Sequence, residues 1–291
     1  MEIYVSVVVP VYNGEKYIIS CLESLSSQSL PKKNVEVIVV DNCSEDNSVN
    51  IARQYNATVL KETKRGSYAA RNAGVHAARG QIIGFIDVDC IASSDWIKHA
   101  LSNFTASPPV EILAGRVEFI IPEKLTVWGD FDRHTFLNQE YSFRSGVAKT
   151  ANMFVKREVF ENAGYFNDKL LSGGDIEWTS RAVRFGASIK YEPKALVYHP
   201  VRNNFNEIAK KVYRVGTGKG QVLKEKKVRY ESSNFGLKHL KHPYNLLRNT
   251  MASINKGFSF LHPIYMLFVI LILSPIFISG ILHGVLLNKK N

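Results

Sequence analysis

The chain has 291 residues, 45% of them hydrophobic and 22% charged, with a formal net charge of +11. Such a composition supports a full globular core and excludes wholesale disorder. Three cysteines, Cys21, Cys43 and Cys90, form no CxxC pair and leave an odd thiol, which argues against a disulfide framework or a Cys/His zinc cluster and for a reducing compartment.

In chain order, residues 1–4 lack a basic region and the apolar run 5–11 ends at Tyr12-Asn13-Gly14, so no signal peptide is expected. Residues 4–10 form a β-branched run with the length of a strand buried on both faces. Residues 14–27 place Tyr17, Ile18, Cys21, Leu22 and Leu25 at helical spacing, and residues 35–40 predict a second buried strand that ends in Asp41-Asn42. A helix over 47–55, a short strand over 57–60 and an alanine-rich helix over 67–79 follow. Residues 81–86 predict a fourth strand that runs straight into Asp87-Val88-Asp89. Beyond it the pattern is mixed. Helices are expected over 95–104, 156–163 and 175–185, and strands over 111–121, 148–155, 187–191 and 195–198, while 127–143 fits neither period.

Strand–helix alternation over the first 90 residues predicts an α/β fold with a mostly parallel sheet. Ligands of such sheets bind outside the carboxyl ends of the strands. Asn13, Asp41, Asp87 and Asp89 end the predicted strands, so topology alone gathers them on one rim.

The chemistry these residues offer is specific to each position. Asp87 and Asp89 stand two apart in an extended segment and point to the same side; paired carboxylates hold hard divalent cations that bridge phosphates. Asp41 offers an acceptor for a nucleobase imino group or a ribose hydroxyl, or else caps the helix that follows, helped by Ser44 and Asp46. Arg65 and Arg71 flank a helix start and are candidates for phosphate oxygens, or for a solvated basic face. Asp175 follows Gly173-Gly174 at a helix start, where it is an N-cap or a general base, with Glu177 as the alternative base. Trp178 is a core anchor or a platform for a sugar face. His199 ends a predicted strand, as a structural residue or as a partner to Asp89 in a metal site.

Together, VSVVVPVYNGEKYI, VIVVDNCSEDNS, the block from Lys64 to Asp89, GGDIEW and the later YH resemble the family 2 glycosyltransferases, over residues 4–200. The resemblance implies a GT-A fold and inverting transfer from a UDP- or GDP-sugar to a glycan or lipid-linked acceptor, assisted by Mg²⁺ or Mn²⁺. It assigns Pro10, Tyr12, Asn13 and Glu15 to the first nucleotide-binding turn and Asp41 to reading the nucleobase. Arg71 matches the basic residue near base and diphosphate, and Asp87 with Val88 the donor side of the DxD. Asp89 and His199 match the metal site, and Asp175 the catalytic base. The chain departs from the family at its Glu-Asp pair, which reads Gly174-Asp175. It also lacks the QxxRW signature of processive synthases, so one sugar per encounter is expected. The rival reading is a non-catalytic nucleotide-sugar-binding or scaffold protein on a degenerate GT-A domain.

Charge maps unevenly. Residues 1–201 carry 22 Lys/Arg and 23 Asp/Glu, residues 202–256 carry 13 and 3, and residues 258–287 carry none of either. About 20 apolar residues suffice to cross a bilayer, and Pro275 and Gly280 fit a kinked span or a re-entrant hairpin. The basic stretch before it is expected to meet anionic lipid on the cytoplasmic face. No nucleic-acid partner is expected, because the main domain is near neutral. The expected division is a GT-A domain over 1–200, a basic juxtamembrane segment over 201–257, a hydrophobic membrane segment over 258–287 and a basic tail over 288–291.

Overall fold

A computed structural model describes residues 5–229 and 262–287. Residues 230–257 of the basic juxtamembrane segment, residues 258–261 of the hydrophobic segment and the basic tail lie outside the described residues. The chain groups into two compact units.

The first unit comprises Met1–Ile120, Asn138–Lys169 and Gly174–Pro200. Its eight strands are β1 (Val5–Val11), β2 (Val35–Asp41), β3 (Thr58–Lys61), β4 (Ile82–Ile86), β5 (Ile91–Ala92), β6 (Ile112–Ile120), β7 (Asn152–Lys156) and β8 (Ile189–Pro200). They form one sheet in the order β3-β2-β1-β4-β7-β6-β8-β5. Pairs β1–β2, β1–β4, β2–β3 and β6–β8 are parallel, while β7 and β5 run antiparallel to their neighbours. The helices of this unit are α1 (Glu15–Ser26), α2 (Ser48–Ala52), α3 (Ser67–Ala77) and α4 (Trp96–Phe104). The second unit contributes α5 (Val127–Thr135), and α6 (Gln139–Arg144), α7 (Arg157–Ala163) and α8 (Gly174–Arg184) return to the first.

β1 and β4 are buried along nearly their whole length, as unbroken β-branched runs require in a sheet covered on both faces. Ile18, Cys21, Leu22 and Leu25 of α1 pack on one face with Trp96 and Ile97 of α4. Phe85, Phe160, Phe166 and Trp178 form an aromatic cluster. Trp178 is fully buried and stacks on Phe160 at 4.5 Å, and its Nε1 donates to Gly164 O at 2.6 Å. It is a core anchor and offers no face to a sugar.

Four expected elements differ in extent. α2 ends at Ala52 because Gln54 and Tyr55 donate to the carbonyls three residues back, which tightens the last turn. β7 begins at Asn152, since Lys149 O accepts from Asn152 N in a turn that Gln139 brackets from both sides. The two short strands expected at 187–198 are one strand, β8. Its pairing with β6 jumps from Gly115↔Glu192 to Arg116↔Leu196, so Pro193–Ala195 bulge out of the ladder. The stretch 127–143 is two helices, capped by Thr126 and Asn138 through Gly129 N and Tyr141 N.

The second unit comprises Ile121–Leu137, Leu170–Gly173 and Val201–Asn291. Besides α5 it holds two long helices, α9 (Phe205–Arg229) and α10 (His262–Leu287). Within α10, Leu267–Leu287 is long and apolar enough to cross a membrane. Asp132 is fully buried against Lys211, Nζ to Oδ1 2.6 Å. Burial pushes the Lys211 ammonium down to about 8, with Arg202 adding and Asp132 opposing.

Candidate active site

All the candidate site side chains read from the sequence fall in the first unit. The register Val11↔Asp41 between parallel strands brings the ends of β1 and β2 level. Beyond them the chain closes two loops on each other. Asn13, at φ 50°, donates from its backbone to Ser44 Oγ at 3.0 Å and accepts from Glu45 N through Oδ1 at 2.8 Å. Gly14 N donates to Ser48 Oγ at 2.9 Å and Glu15 N to Asp46 Oδ2 at 2.9 Å, while Glu15 Oε2 accepts from Asn47 N at 3.2 Å. Asp41 is buried, and its Oδ1 accepts from Ser44 N at 3.0 Å, a local turn bond. Asn13 and Glu15 therefore shape the loop through their side chains. Pro10 lies within β1, two residues past the last β1–β4 pair, Val8↔Phe85, where a missing N–H is tolerated. Tyr12 is half exposed at the rim, with the Arg65 guanidinium 5.5 Å from its ring centre.

The segment after β4 sets one carboxylate against a buried cation of α3 and the other against a buried imidazole of β8. Arg71, buried on α3, forms a close ion pair with Asp87 Oδ1 and donates to Ser67 O at 3.2 Å, while its Nε has no partner among the described residues. Val88 packs under Gly14, where an added Cβ would stand 3.2 Å from both its methyls.

Asp89 faces His199 of β8, Oδ2 to Nε2 3.3 Å. His199 is buried, and its Nδ1 lies 2.6 Å from Pro200 O. A carbonyl only accepts, so in the neutral ring Nδ1 donates and Nε2 turns its lone pair toward the carboxylate. Two acceptors at that distance require a proton or a cation between them. The donor set of carboxylate oxygen plus oriented imidazole fits a divalent ion such as Mn²⁺ or Mg²⁺. The Cys90 sulfur lies within 4.8 Å of both groups, but burial, with Asp89 and Asp87 adding, pushes its thiol well above the ordinary value.

Asp175 sits in the first turn of α8. Its Oδ1 accepts from Tyr68 OH at 3.1 Å and from Ile176 N at 2.9 Å, and its Oδ2 from Thr150 N at 3.3 Å. Burial pushes the nearby Lys149 ammonium down to about 8, against the opposing pull of Asp175. Glu177 is turned elsewhere, in a bidentate pair with Arg181 at 3.0 and 3.2 Å.

Sequence reasoning missed Asn42, Tyr68, Lys149 and Thr150. Asn42 ties the loop after β2 to the loop after β3, donating to Glu62 O and Lys64 O and accepting from Gly66 N. Tyr68 lies with its ring over Gly174, where a Cβ would stand 2.7–2.9 Å from three ring carbons. The available signal was that glycine itself, at the position where an acidic side chain is expected.

A family model described as Glycosyl transferase family 2 matches residues 6–164. Glycosyltransferase AglE of Haloferax volcanii is 38% identical over 226 residues, covering 75% of this chain and 74% of its own. Among solved structures, the Pyrobaculum calidifontis mannosyltransferase PcManGT in complex with GDP-Man and Mn²⁺ superposes with a TM-score of 0.64 at 18% identity, over 100% of this chain and 89% of that one. Staphylococcus aureus TarS 1–349 in complex with UDP-GlcNAc gives 0.62 at 20% identity, over 95% and 79%. At these identities the two structures establish the fold, a GT-A-like α/β architecture.

Proposed function

The chain belongs to glycosyl transferase family 2 and uses a nucleotide-sugar donor, and on that premise we propose that it transfers one sugar, with inversion, to a hydroxyl of a glycan or lipid-linked acceptor. The observation that carries this reading is Asp175, a carboxylate fixed by Tyr68 OH and Thr150 N.

In this reading Asp175 accepts the acceptor's hydroxyl proton as the oxygen attacks the anomeric carbon. The bond from that carbon to the diphosphate breaks on the opposite side, and the nucleoside diphosphate leaves. Asp41 and the β1 loop of Pro10, Tyr12, Asn13 and Glu15 bind the nucleoside. Arg71, Asp87 and Val88 line the path to the diphosphate, with the guanidinium countering its charge. Asp89 and His199 would hold Mg²⁺ or Mn²⁺, which when bound neutralises charge on the diphosphate. The donor classes follow the relatives, one in complex with GDP-Man and Mn²⁺ and one with UDP-GlcNAc. The Glu177–Arg181 pair supports Asp175 over Glu177 as the base. The apolar α10 and the basic stretch before it support membrane attachment, with the catalytic unit on the cytoplasmic face.

The second reading, a non-catalytic nucleotide-sugar binder, draws on Gly174 in place of an acid. Nucleotide release from UDP- and GDP-sugars, with and without EDTA, separates the two. Release that needs both acceptor and metal supports the transferase, and donor binding without release supports the binder.

A further inference from the structure

The second unit contains a helix pair whose packing bears on how the enzyme meets a membrane. Ile208 and Val212 of α9 cluster with Val269 and Leu273 of α10 and Phe131 of α5. Further along, the contacts are backbone to backbone. A Cβ on Gly216 or Gly220 of α9 would strike the carbonyl of Phe277 or Ile281, and one on Gly280 or Gly284 of α10 the carbonyl of Tyr213 or Thr217. Small residues four apart on both helices permit this approach. Contact positions rise together along both sequences, so the helices run parallel. From Ile208 to Gly220 the contact extends roughly 20 Å at 1.5 Å per residue.

That length decides between orientations. If α10 crossed a bilayer, this part of α9 would lie within a hydrocarbon layer about 30 Å thick. Yet it carries Lys210 and Arg214, both exposed. Charged side chains at such depth are expensive unless paired or facing water. The opposite face of α10 is apolar and open. Phe268, Leu271, Ile278, Leu282 and Leu286 are each more than half exposed and recur every three to seven residues along one stripe.

We propose that this helix pair attaches to the bilayer in plane. The open stripe of α10 lies among the acyl chains of one leaflet, the cations of α9 meet anionic headgroups, and neither helix crosses. Taken together, the pair sets the apolar stripe of α10 on one side and the Lys and Arg of α9 on the other, the division into acyl-facing and headgroup-facing surfaces that in-plane attachment requires. The 13 Lys/Arg against 3 Asp/Glu of residues 202–256 give the charge complementarity that selects an anionic leaflet as the occupant. This inference refines the membrane attachment proposed above. Its test reads topology, so its failure leaves the transferase reading intact.

The test uses the full chain in a Cys43→Ser background, reconstituted into sealed phosphatidylglycerol/phosphatidylcholine vesicles. Cys21 and Cys90 are buried. Asn56→Cys, on the exposed surface of the first unit, and Asn291→Cys, after α10, are introduced together. The vesicles are treated with a membrane-impermeant maleimide and the intact protein is weighed. In-plane attachment gives molecules labelled at both sites or at neither, whatever the mixture of orientations. A crossing helix gives molecules labelled at one site only, and that result overturns the proposal. Leu271→Glu/Leu282→Glu should reduce flotation with the same vesicles at least tenfold. If instead the parent is a dimer without lipid, the double variant is a monomer and flotation is unchanged, the stripe belongs to a second copy and the proposal fails.

Discussion

Tyr68→Phe isolates one hydrogen bond at the candidate base. The substitution keeps the ring over Gly174 and removes only the hydroxyl that donates to Asp175 Oδ1 at 3.1 Å. A hydrogen bond to a charged group contributes about 1.5–3 kcal/mol, and 1.36 kcal/mol is a factor of ten in rate. Because Thr150 N and Ile176 N still hold the carboxylate, the lower end applies, and kcat should fall about tenfold. The donor KM should stay within about twofold, since Tyr68 acts on the base. The same geometry predicts the sign of Gly174→Ala. In an open helix that change stabilises by about 0.5–1 kcal/mol, but here the new Cβ meets the Tyr68 ring at 2.7 Å, and overpacking costs about 1–3 kcal/mol. Gly174→Ala should therefore lower the Tm alone and in Tyr68→Phe, and be less harmful in Tyr68→Ala, where the ring is gone. Steady-state kinetics with saturating donor, thermal unfolding and the double-mutant cycle check these outcomes. Full kcat in Tyr68→Phe would refute the positioning role, and additive Tm changes for Gly174→Ala and Tyr68→Ala would refute the packing argument.

Other perturbations address the remaining groups. Asp175→Asn should bind donor normally and lose about 10²–10⁴-fold in turnover, whereas Glu177→Gln should lose less than about tenfold; the reverse order in a transfer assay assigns the base to Glu177. Asp89→Ala should lower Mn²⁺-dependent turnover by about 10²-fold with an unchanged Tm, and wild-type rates in saturating Mn²⁺ would remove Asp89 from the metal site. Lys149, depressed to about 8 from an ordinary value near 10.5, binds fewer protons folded than unfolded between those pH values, so it makes stability rise with pH across that window. Lys149→Met should flatten that rise, and denaturant titrations at pH 7.5 and 10 compare the two proteins. Truncation after residue 256 should spare donor hydrolysis and leave only salt-sensitive vesicle binding, because the Debye length falls from about 10 Å at 0.1 M salt to about 3 Å at 1 M; flotation that persists at 1 M would show that α10 is not the apolar anchor.

Legibility in the sequence followed the range of the interactions involved. β1, β2 and β4 were readable because a strand buried on both faces must be apolar throughout, and the acids that end them stand at one rim by topology. The Asp89–His199 approach was readable as a possibility from two strand ends. Its geometry depends on a bond from His199 to Pro200 O that only the folded backbone fixes. β8 was split in two because Glu192-Pro193-Lys194 breaks the apolar run, and a bulge opposite Gly115 and Arg116 carries the strand across. Tyr68 and Lys149 were invisible for a different reason. Each lies far along the chain from Asp175, Tyr68 by 107 residues, and no local period marks a long-range polar contact.

The departure at Gly174 shows how such a contact changes the meaning of a motif. In sequence, a missing acid beside Asp175 weakens the candidate base. In space, the volume an acidic side chain would need is filled by the Tyr68 ring, and that ring delivers its hydroxyl to Asp175 itself. In this chain a neutral donor stands beside Asp175 where the resemblance implies a negative charge. A second carboxylate there would repel the first, whereas a phenol orients it without adding charge. Returning the acid alone, by Gly174→Glu, should therefore damage both packing and turnover. Only a change of both partners, Gly174→Glu with Tyr68→Ala, has the room to test whether an acidic neighbour supports Asp175 in this chain.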